Sequence, residues 1–502
     1  MLMMKRLLTI FACLILILTG SAHAEDLYVC STGAGATDGS DWDNCFNGFA
    51  DISWGTGAGS VGPGDTLYID GGSTSSTYTS KLTVGDDGES GNLIYIKPGS
   101  ASPSPSNHDG TVIIERTDNS DDGIDVNRDY ITIDGNDGNG NRKIKIQNAR
   151  MSIYGINRDH VVIRYVHTDN SNATNGWSSI RLSQSTNCIV EHCLIENGHE
   201  GCVTISGATG DWGTKIIRYN ECYEYNLDGF AIDSGTDVYG NKIQFKGTST
   251  AGHPDGIVLQ GSRNRVWANE IIGFNQNIYV DSISEANPEN KIWSNLIYWV
   301  SGGLDISDFA SGINCHNETY NGTIWIYNNT VIDTYIRVQG PQTAYIKNNI
   351  TDTGLRIDSN SATVEIDYNW HTLTRQTNFG YNGSTYTNYN NWLTAIRADT
   401  PSVDLNSGSG DAGFVNEAGD DFRVDADSDC YDAGTDLGSD YETGLSALSF
   451  PSPTTTTRPQ GLGWDIGAYE YTSQTNTIQG VSISNLNVTK NLIAWHRTDG
   501  LR

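Results

Sequence analysis

From about Asp122 to Trp370 the chain repeats one unit: a short apolar strand, a polar turn, a second apolar strand with Asn near its end, and another turn. Within each strand apolar residues alternate with polar ones, the two-residue period of a pleated strand rather than the 3.6-residue period of a helix. Two copies match almost letter for letter, Val126-Asn127-Arg128-Asp129-Tyr130-Ile131-Thr132-Ile133 and Ile156-Asn157-Arg158-Asp159-His160-Val161-Val162-Ile163, 30 positions apart. Repetition at a period of roughly 20 to 50 residues marks stacked units that bury a shared core.

Anchored on the residue before each first strand, the copies form a column. It runs through Gly123-Ile124-Asp125-Val126, Ser179-Ile180-Arg181-Leu182, Gly201-Cys202-Val203 and Gly229-Phe230-Ala231-Ile232. It continues through Gly256-Ile257-Val258-Leu259, Asn277-Ile278-Tyr279-Val280, Tyr335-Ile336-Arg337-Val338 and Gly354-Leu355-Arg356-Ile357. A second column closes on Asn220, Asn269, Asn295, Asn329 and Asn348. Stacked Asn suits a turn in which each side-chain amide bonds the next rung, whereas antiparallel hairpins would show two-residue turns and no such stacking. The pattern predicts an all-β right-handed parallel β-helix (a solenoid) of roughly ten rungs, on the order of 50 Å long. Helix signals are nearly absent.

The ends read differently. Residues 25–117 are expected to form an N-terminal cap and the first rungs, and residues 118–471 the β-helix with C-terminal closing strands, Asp465-Ile466-Gly467-Ala468-Tyr469-Glu470-Tyr471 being the last. Phe379 to Leu393 reads as a Tyr/Asn-rich insertion or loop, and residues 472–502 as a flexible tail or truncated appendage. Residues 1–24 carry Lys5-Arg6, an apolar run from Leu7 to Leu18 and Ala22-His23-Ala24, the three parts of a secretory signal peptide. No later stretch approaches the roughly 18 to 20 apolar residues that span a bilayer. A secreted, soluble monomer is expected, extracellular or periplasmic.

The formal net charge of −30 disfavours a nucleic-acid partner, because phosphate binding needs a basic surface. An acidic polysaccharide stays possible where a local cation or basic group neutralises it; acidity also serves solubility alone. Of nine Cys, Cys13 lies in the leader. Cys30 and Cys45 flank one Gly-rich loop and are the expected disulfide after export. Cys188, Cys193, Cys202 and Cys222 fall on successive repeats, where stacked thiols and bridges are both compatible, and their spacing does not match a zinc site.

With the rungs side by side, the turn before the first strand reads His199-Glu200-Gly201, Leu227-Asp228-Gly229, then His253-Pro254-Asp255-Gly256. Three acids and two His thus occupy equivalent places on three neighbouring rungs, roughly 5 Å apart per step. Asp-Gly is also ordinary turn chemistry, as Asp122-Gly123 illustrates. Small residues beside the cluster, Val203, Ala231 and Val258, would leave a floor for a sugar ring, bordered by Arg181 and Tyr279. Asp233, Gln260 and Asp281 line the far end of the same strands. The candidate catalytic residues are His253, Tyr279, Asp255 and Asp228, and the candidate substrate contacts are Arg181, His199, Glu200, Gln260 and Arg263. Asp228, Asp233 and Asp255 are the candidate metal ligands. Trp267, Trp293 and Trp325 share the second column, where they either stack on sugars or pack under a loop. Lys242, Lys246 and Arg265 read as solvated surface, and His108-Asp109 as inert loop.

The repeat, the early Asp38-Gly39-Ser40-Asp41-Trp42, the strand entry Pro63-Gly64-Asp65-Thr66 and the closing DIGAYEY together resemble the pectin-lyase-like β-helix superfamily over most of residues 28–471. Asp228-Gly229-Phe230-Ala231 and Asp255-Gly256-Ile257 are similar to the calcium-binding segments of family-nine pectate lyases, a resemblance that implies Ca²⁺ on Asp228 and Asp255. The family has more acidic ligands, with a double Asp where this chain has Pro254-Asp255, and its basic Lys falls at Tyr279. Asn226-Leu227-Asp228-Gly229-Phe230 also resembles the Asn-Thr-Asp-Gly segment of polygalacturonases, which implies Asp228 as general acid and Asp255 as base. The later Gly-His-Gly and Arg-Ile-Lys motifs of that family are missing.

β-Elimination needs a neutraliser for the uronate carboxylate and a base for the C5 proton. Ca²⁺ on the Asp residues would supply the first, and His253 or Tyr279 the second. Inverting hydrolysis needs two carboxyls about 6.5 to 9.5 Å apart. The lyase reading fits the His and Tyr better. The expectation is therefore a secreted polysaccharide lyase acting on an anionic, uronate-containing polymer. The alternatives are an inverting, polygalacturonase-like glycoside hydrolase and a non-catalytic glycan-binding adhesin.

Overall fold

The computed structural model describes residues 24–99, 107–116, 121–170, 177–207, 214–224, 226–247, 253–281, 288–299, 311–316, 322–340, 342–358, 362–372, 378–447 and 449–472. The leader up to position 23 and the tail beyond 472 lie outside the described residues.

Three parallel sheets of 13, 14 and 13 strands run the length of the molecule. One coil shows the path: Ile180–Ser183 lies in the first sheet, Ile189–Glu191 in the second and Leu194–Glu196 in the third, and Gly201–Ile205 returns to the first. Within the coils each strand pairs in parallel with its counterparts one coil before and after, so that Phe230 is registered with Val203 on one side and Ile257 on the other; Ser384–Tyr386 is added antiparallel at the end of the first sheet. The fold is a right-handed parallel β-helix, the hand that parallel crossovers almost always take. At about 4.8 Å per strand the cylinder is about 60 Å long, more rungs than the repeat count suggests. Ile257, Ile278, Ile313 and Ile336 of the first sheet and Val238, Val266, Ile292 and Ile326 of the second are fully buried in one continuous core.

The turn between the second and third sheets carries an Asn ladder. Asn220, Asn241, Asn269, Asn295, Asn329 and Asn349 each donate through Nδ2 to Oδ1 of the next, ending at Asn369, over 2.9 to 3.1 Å. Each Oδ1 also accepts a backbone N–H from the rung below, as Asn269 does from Asn241 at 3.1 Å. All seven are fully buried, so a polar turn is satisfied without water. The ladder passes through Asn349, not Asn348: Asn348 is the left-handed residue before it (φ 56°), and its side chain turns outward to the Thr435 carbonyl. The twin Asn-Arg-Asp repeat builds a second, shorter ladder. The Asp159 N–H donates to Asp129 Oδ1 at 3.1 Å and the Asp129 N–H to Asp87 Oδ1 at 2.8 Å.

A helix, Tyr389–Asp399, stands where a loop is expected. The Asn388 side chain caps it by accepting from the Asn391 N–H at 3.2 Å, and its buried Trp392 and Ile396 join Phe379 in closing the C-terminal end of the core. With that end covered, Asp465 to Tyr471 is not a closing rung. It runs along the flank with only isolated bridges, burying Ile466, Ala468 and Tyr469 against Ile272, Leu296 and Ile350. There the Ala468 N–H donates to Thr330 Oγ1 at 2.9 Å and Asn328 Nδ2 to the Asp465 carbonyl at 3.0 Å. The same flank covers Trp293 with Tyr441 and Trp464, and Trp267 stacks on Trp293 at 4.8 Å. Trp325 sits in the neighbouring column with Lys291 and Tyr345. These rings face one another, which is a packing arrangement. His108 has a structural place: it pairs with Asp70 at 2.8 Å and stacks on Trp42 at 4.2 Å.

Cys30 and Cys45 form the expected disulfide, and Cys202 is bridged to Cys222 from the first sheet to the third. Cys188, Cys193, Cys315 and Cys430 are buried free thiols. No helix of the described residues is long and apolar enough to cross a membrane.

Replacing Asn269 by Ala should cost roughly 2–4 kcal/mol, since it strands the donors of Asn241 and two backbone carbonyls in a dry turn; urea unfolding reads this out, and a loss within about 0.5 kcal/mol would mean that the ladder is dispensable. Peptide mapping without reductant should recover Cys30 linked to Cys45 and Cys202 linked to Cys222, with the four remaining thiols of the described chain alkylated only after unfolding.

Candidate active site

In the first sheet two successive positions face the core at the start of each strand. Val203, Phe230 and Ile257 are fully buried, yet the residues just before them also point inward: Cys202 crosses to Cys222. A Cβ at Gly229 would lie 2.5 Å from Ile243 Cγ2, and one at Gly256 2.7 Å from Ile271 Cγ2. The glycines of the Asp-Gly pairs are there because no side chain fits against the opposite wall. A strand that sends two neighbours inward has bent, and the residue ahead of the bend, Asp228 or Asp255, departs from the alternation that would otherwise bury it in the core.

The bend shifts the floor by one residue. The outward column is Arg181, Thr204, Ala231, Val258, Tyr279, Asn314, Arg337 and Arg356. Thr204 therefore takes the place expected for Val203, which is core. A second line, on the side where strands enter, holds Gly201, Asp228, Asp255, Gln276 and Ser311. Asp233, Gln260, Asp281, His316, Gln339 and Asp358 follow the strand ends on the other side.

Asp228 and Asp255 are brought together. Asp228 Oδ1 accepts the Asp255 N–H at 3.1 Å. Asp255 is only 7% exposed, and its buried Oδ1 has no hydrogen-bond partner among the described residues. Burial, then the charge of Asp228 and of Asp281, pushes the Asp255 carboxyl up to about 9. Burial and Glu200 push Asp228 up to about 7, against the opposing hydrogen bond from Asp255. Tyr279 lies on the next strand. Burial, then Asp281 and Asp255, pushes its hydroxyl up to about 12, and that hydroxyl lies 3.1 Å from Nδ1 of the exposed His316.

The other expected residues are placed unevenly. Asp233 lies five residues along the strand from Asp228, across the width of the sheet, and bonds the Ser234 N–H at 2.8 Å; it is not part of the Asp228–Asp255 pair. His253 is exposed, in left-handed conformation (φ 56°) at the mouth of the turn. His199 and Glu200 are half-buried on the rung before Asp228, and the His199 Nδ1 is buried without a hydrogen-bond partner among the described residues. Arg181 stacks over Trp177 at 4.2 Å, and Trp177 is 47% exposed. Gln260 and Arg263 are exposed, Arg263 in the turn beyond the strand. The reading of the repeat missed His316 and Asn314 because it passed over the strand Ser311–His316, although Gly312-Ile313-Asn314-Cys315 fits the first column.

Among the described residues the one group of three metal-binding side chains within 4.8 Å of each other is His167, Asp169 and Glu196, on the third sheet away from this site. His167 bonds Glu196 at 2.8 Å and Lys145 pairs with Asp169 at 3.4 Å, an ion-pair network. At the Asp pair the fit to Ca²⁺ rests on two carboxyls and the bare Asp255 Oδ1. The Gln276 Oε1, in line with them, already accepts from Asn314 at 2.9 Å.

No family model matches the chain, and no curated protein matches it significantly. Solved structures do. A pectate lyase, Pel9A, aligns at 16% identity over 90% of this chain and 98% of its own, with a TM-score of 0.43. An alginate lyase from Paenibacillus sp. str. FPU-7 aligns at 13% over 60% and 91%, TM-score 0.33. A GH136 lacto-N-biosidase from Eubacterium ramulus aligns at 10% over 68% and 68%, TM-score 0.36. Lyases and a glycosidase thus stand side by side among proteins similar to this chain, so its chemistry has to be read from its own side chains.

Proposed function

We propose that the chain is an exported carbohydrate-active enzyme, a polysaccharide lyase that cleaves an anionic, uronate-containing polymer by β-elimination. The observation that carries this reading is the Asp228–Asp255 pair, one rung apart, with Tyr279 on the next strand of the same sheet. The strands of the two Asp residues stand one rung apart, roughly 5 Å. Two buried carboxyls held this close repel each other unless a proton or a cation sits between them. The two disulfides and the leader-like start support export.

In this reading the outward column of Thr204 and Ala231, backed by the buried Val258, is the floor on which the polymer lies, with Arg181 and Trp177 at one end and Tyr279 at the other. Asp228 and Asp255 would hold Ca²⁺, whose charge supplies carboxylate neutralisation and so acidifies the C5 proton. Two acids are few for Ca²⁺, so waters and the substrate would complete its shell. Tyr279 takes the C5 proton. His199, Glu200, Gln260 and Arg263 surround the floor as substrate contacts, and His253 stands at its mouth. Asp233 lies too far along the strand to share the metal with the other two.

Digestion of pectate, alginate and a neutral glycan by purified protein should give both new reducing ends and the ultraviolet absorbance of unsaturated uronate ends on an acidic polymer only. Reducing ends without that absorbance would make the protein a hydrolase, and neither signal would make it a binding protein.

Asp255→Asn should lower turnover roughly 100-fold or more while making the protein more stable. Both carboxyls have folded-state values above the ordinary carboxylate range, so their contribution to stability is fully present below about pH 4 and is lost as pH rises through about 7 and about 9. In thermal unfolding the Asn variant should therefore gain on the order of 1–3 kcal/mol at pH 8, and almost nothing at pH 4. Destabilisation at pH 8 would contradict the burial of unneutralised charge.

A further inference from the structure

Tyr279 has a difficulty as a base. Its neighbour Asp281 is acidic, so a free phenolate there is costly at neutral pH. A tyrosine so placed accepts a substrate proton only if its own proton leaves in the same event. The structure provides an acceptor for it. Ser311–His316 pairs with Gln276–Val280 in parallel register, which sets His316 one rung beyond Asp281 at the strand ends. The His316 Nδ1 lies 3.1 Å from Tyr279 Oη, with the two rings 5.9 Å apart. Both side chains stand on the open face, Tyr279 half-buried and His316 exposed.

We propose that His316 is a catalytic residue of this site, the proton relay paired with Tyr279; this rests on the β-elimination reading above. Tyr279 Oη takes the proton from C5 as its own hydroxyl proton passes to His316 Nδ1. The electron pair of the C5–H bond forms the C4=C5 double bond, and the C4–O4 bond breaks. The imidazolium then gives a proton from Nε2 to the departing O4. One proton leaves the sugar and one returns to it, so the Tyr279–His316 pair ends neutral, with the imidazole as its Nδ1–H tautomer; proton exchange with water at the exposed His316 restores the Nε2–H form before the next turnover. Asp281 serves the pair by its charge, which keeps phenolate from accumulating on Tyr279.

The test compares wild type, His316→Gln and His316→Ala on the acidic polymer that the wild type cleaves, with imidazole added to the Ala variant. The expected result is a fall in kcat of roughly 100-fold for both variants with KM within about threefold, an unchanged melting temperature, and partial recovery of the Ala variant as imidazole is titrated in. A side chain that merely held Tyr279 in place would not be replaced by free imidazole, so a fall without rescue overturns the relay. Turnover within about threefold of wild type in His316→Gln overturns it as well. If the wild type forms no unsaturated product on any acidic polymer, the lyase reading fails, and the relay with it.

Discussion

Parallel stacking in register is the constraint on which this molecule depends. Each strand takes all of its sheet hydrogen bonds from the coil before and the coil after, so a side chain has as its closest neighbours the residues at the same place 20 to 38 positions away, as Asn220 to Asn241 and Gln276 to Asn314 show. Like must therefore tolerate like. Ile tolerates Ile because stacking buries both, and Asn tolerates Asn because each amide offers a donor and an acceptor to its twin. Asp tolerates Asp where water screens the pair, as in the Asp87–Asp129–Asp159 ladder, and poorly where it is buried. Where the chain stacks a half-buried Asp228 under a buried Asp255, it accepts a repulsion that the fold itself does not require.

The bend in the first sheet turns that repulsion into a site. Gly229 and Gly256 lie against Ile243 and Ile271 with no room for a Cβ, and this inward step moves the preceding Asp off the core. Beyond the bend, alternation resumes and presents Ala231, Val258 and Tyr279 on the open face. The arrangement follows from steric exclusion on one wall and pleating on the other. Strain in the Asp pair is held by the rungs on either side, whose cores and Asn ladder are fully satisfied.

Much of this was legible in the chain. The two-residue period, the Gly-Ile and Asn columns and the recurring Asp-Gly pairs gave the solenoid and the neighbouring Asp228, Asp255 and Tyr279, but a unit of two strands where each coil has three. What escaped has physical causes. Alternation alone makes Val203 an outward residue; only the contacts of the Gly229 row reveal two inward neighbours and put Thr204 on the floor. Asn348 and Asn349 are indistinguishable by composition, and which one is buried depends on where the left-handed turn residue falls. Asp233 shares a strand with Asp228, but its place along the strand separates them by the sheet's width. The helix Tyr389–Asp399 shows no strong apolar period because only Trp392 and Ile396 of it are buried.

The central claim is that stacking makes Asp255 and Tyr279, 24 positions apart in the chain, act as one unit. A double-mutant cycle on kcat/KM with Asp255→Asn, Tyr279→Phe and the pair tests this directly. Groups that act together lose their effect together, so the double variant should be scarcely worse than the poorer single variant, a coupling of roughly 1–3 kcal/mol. Effects that simply add, to within about 0.5 kcal/mol, would show that the two side chains work independently and that no shared site exists.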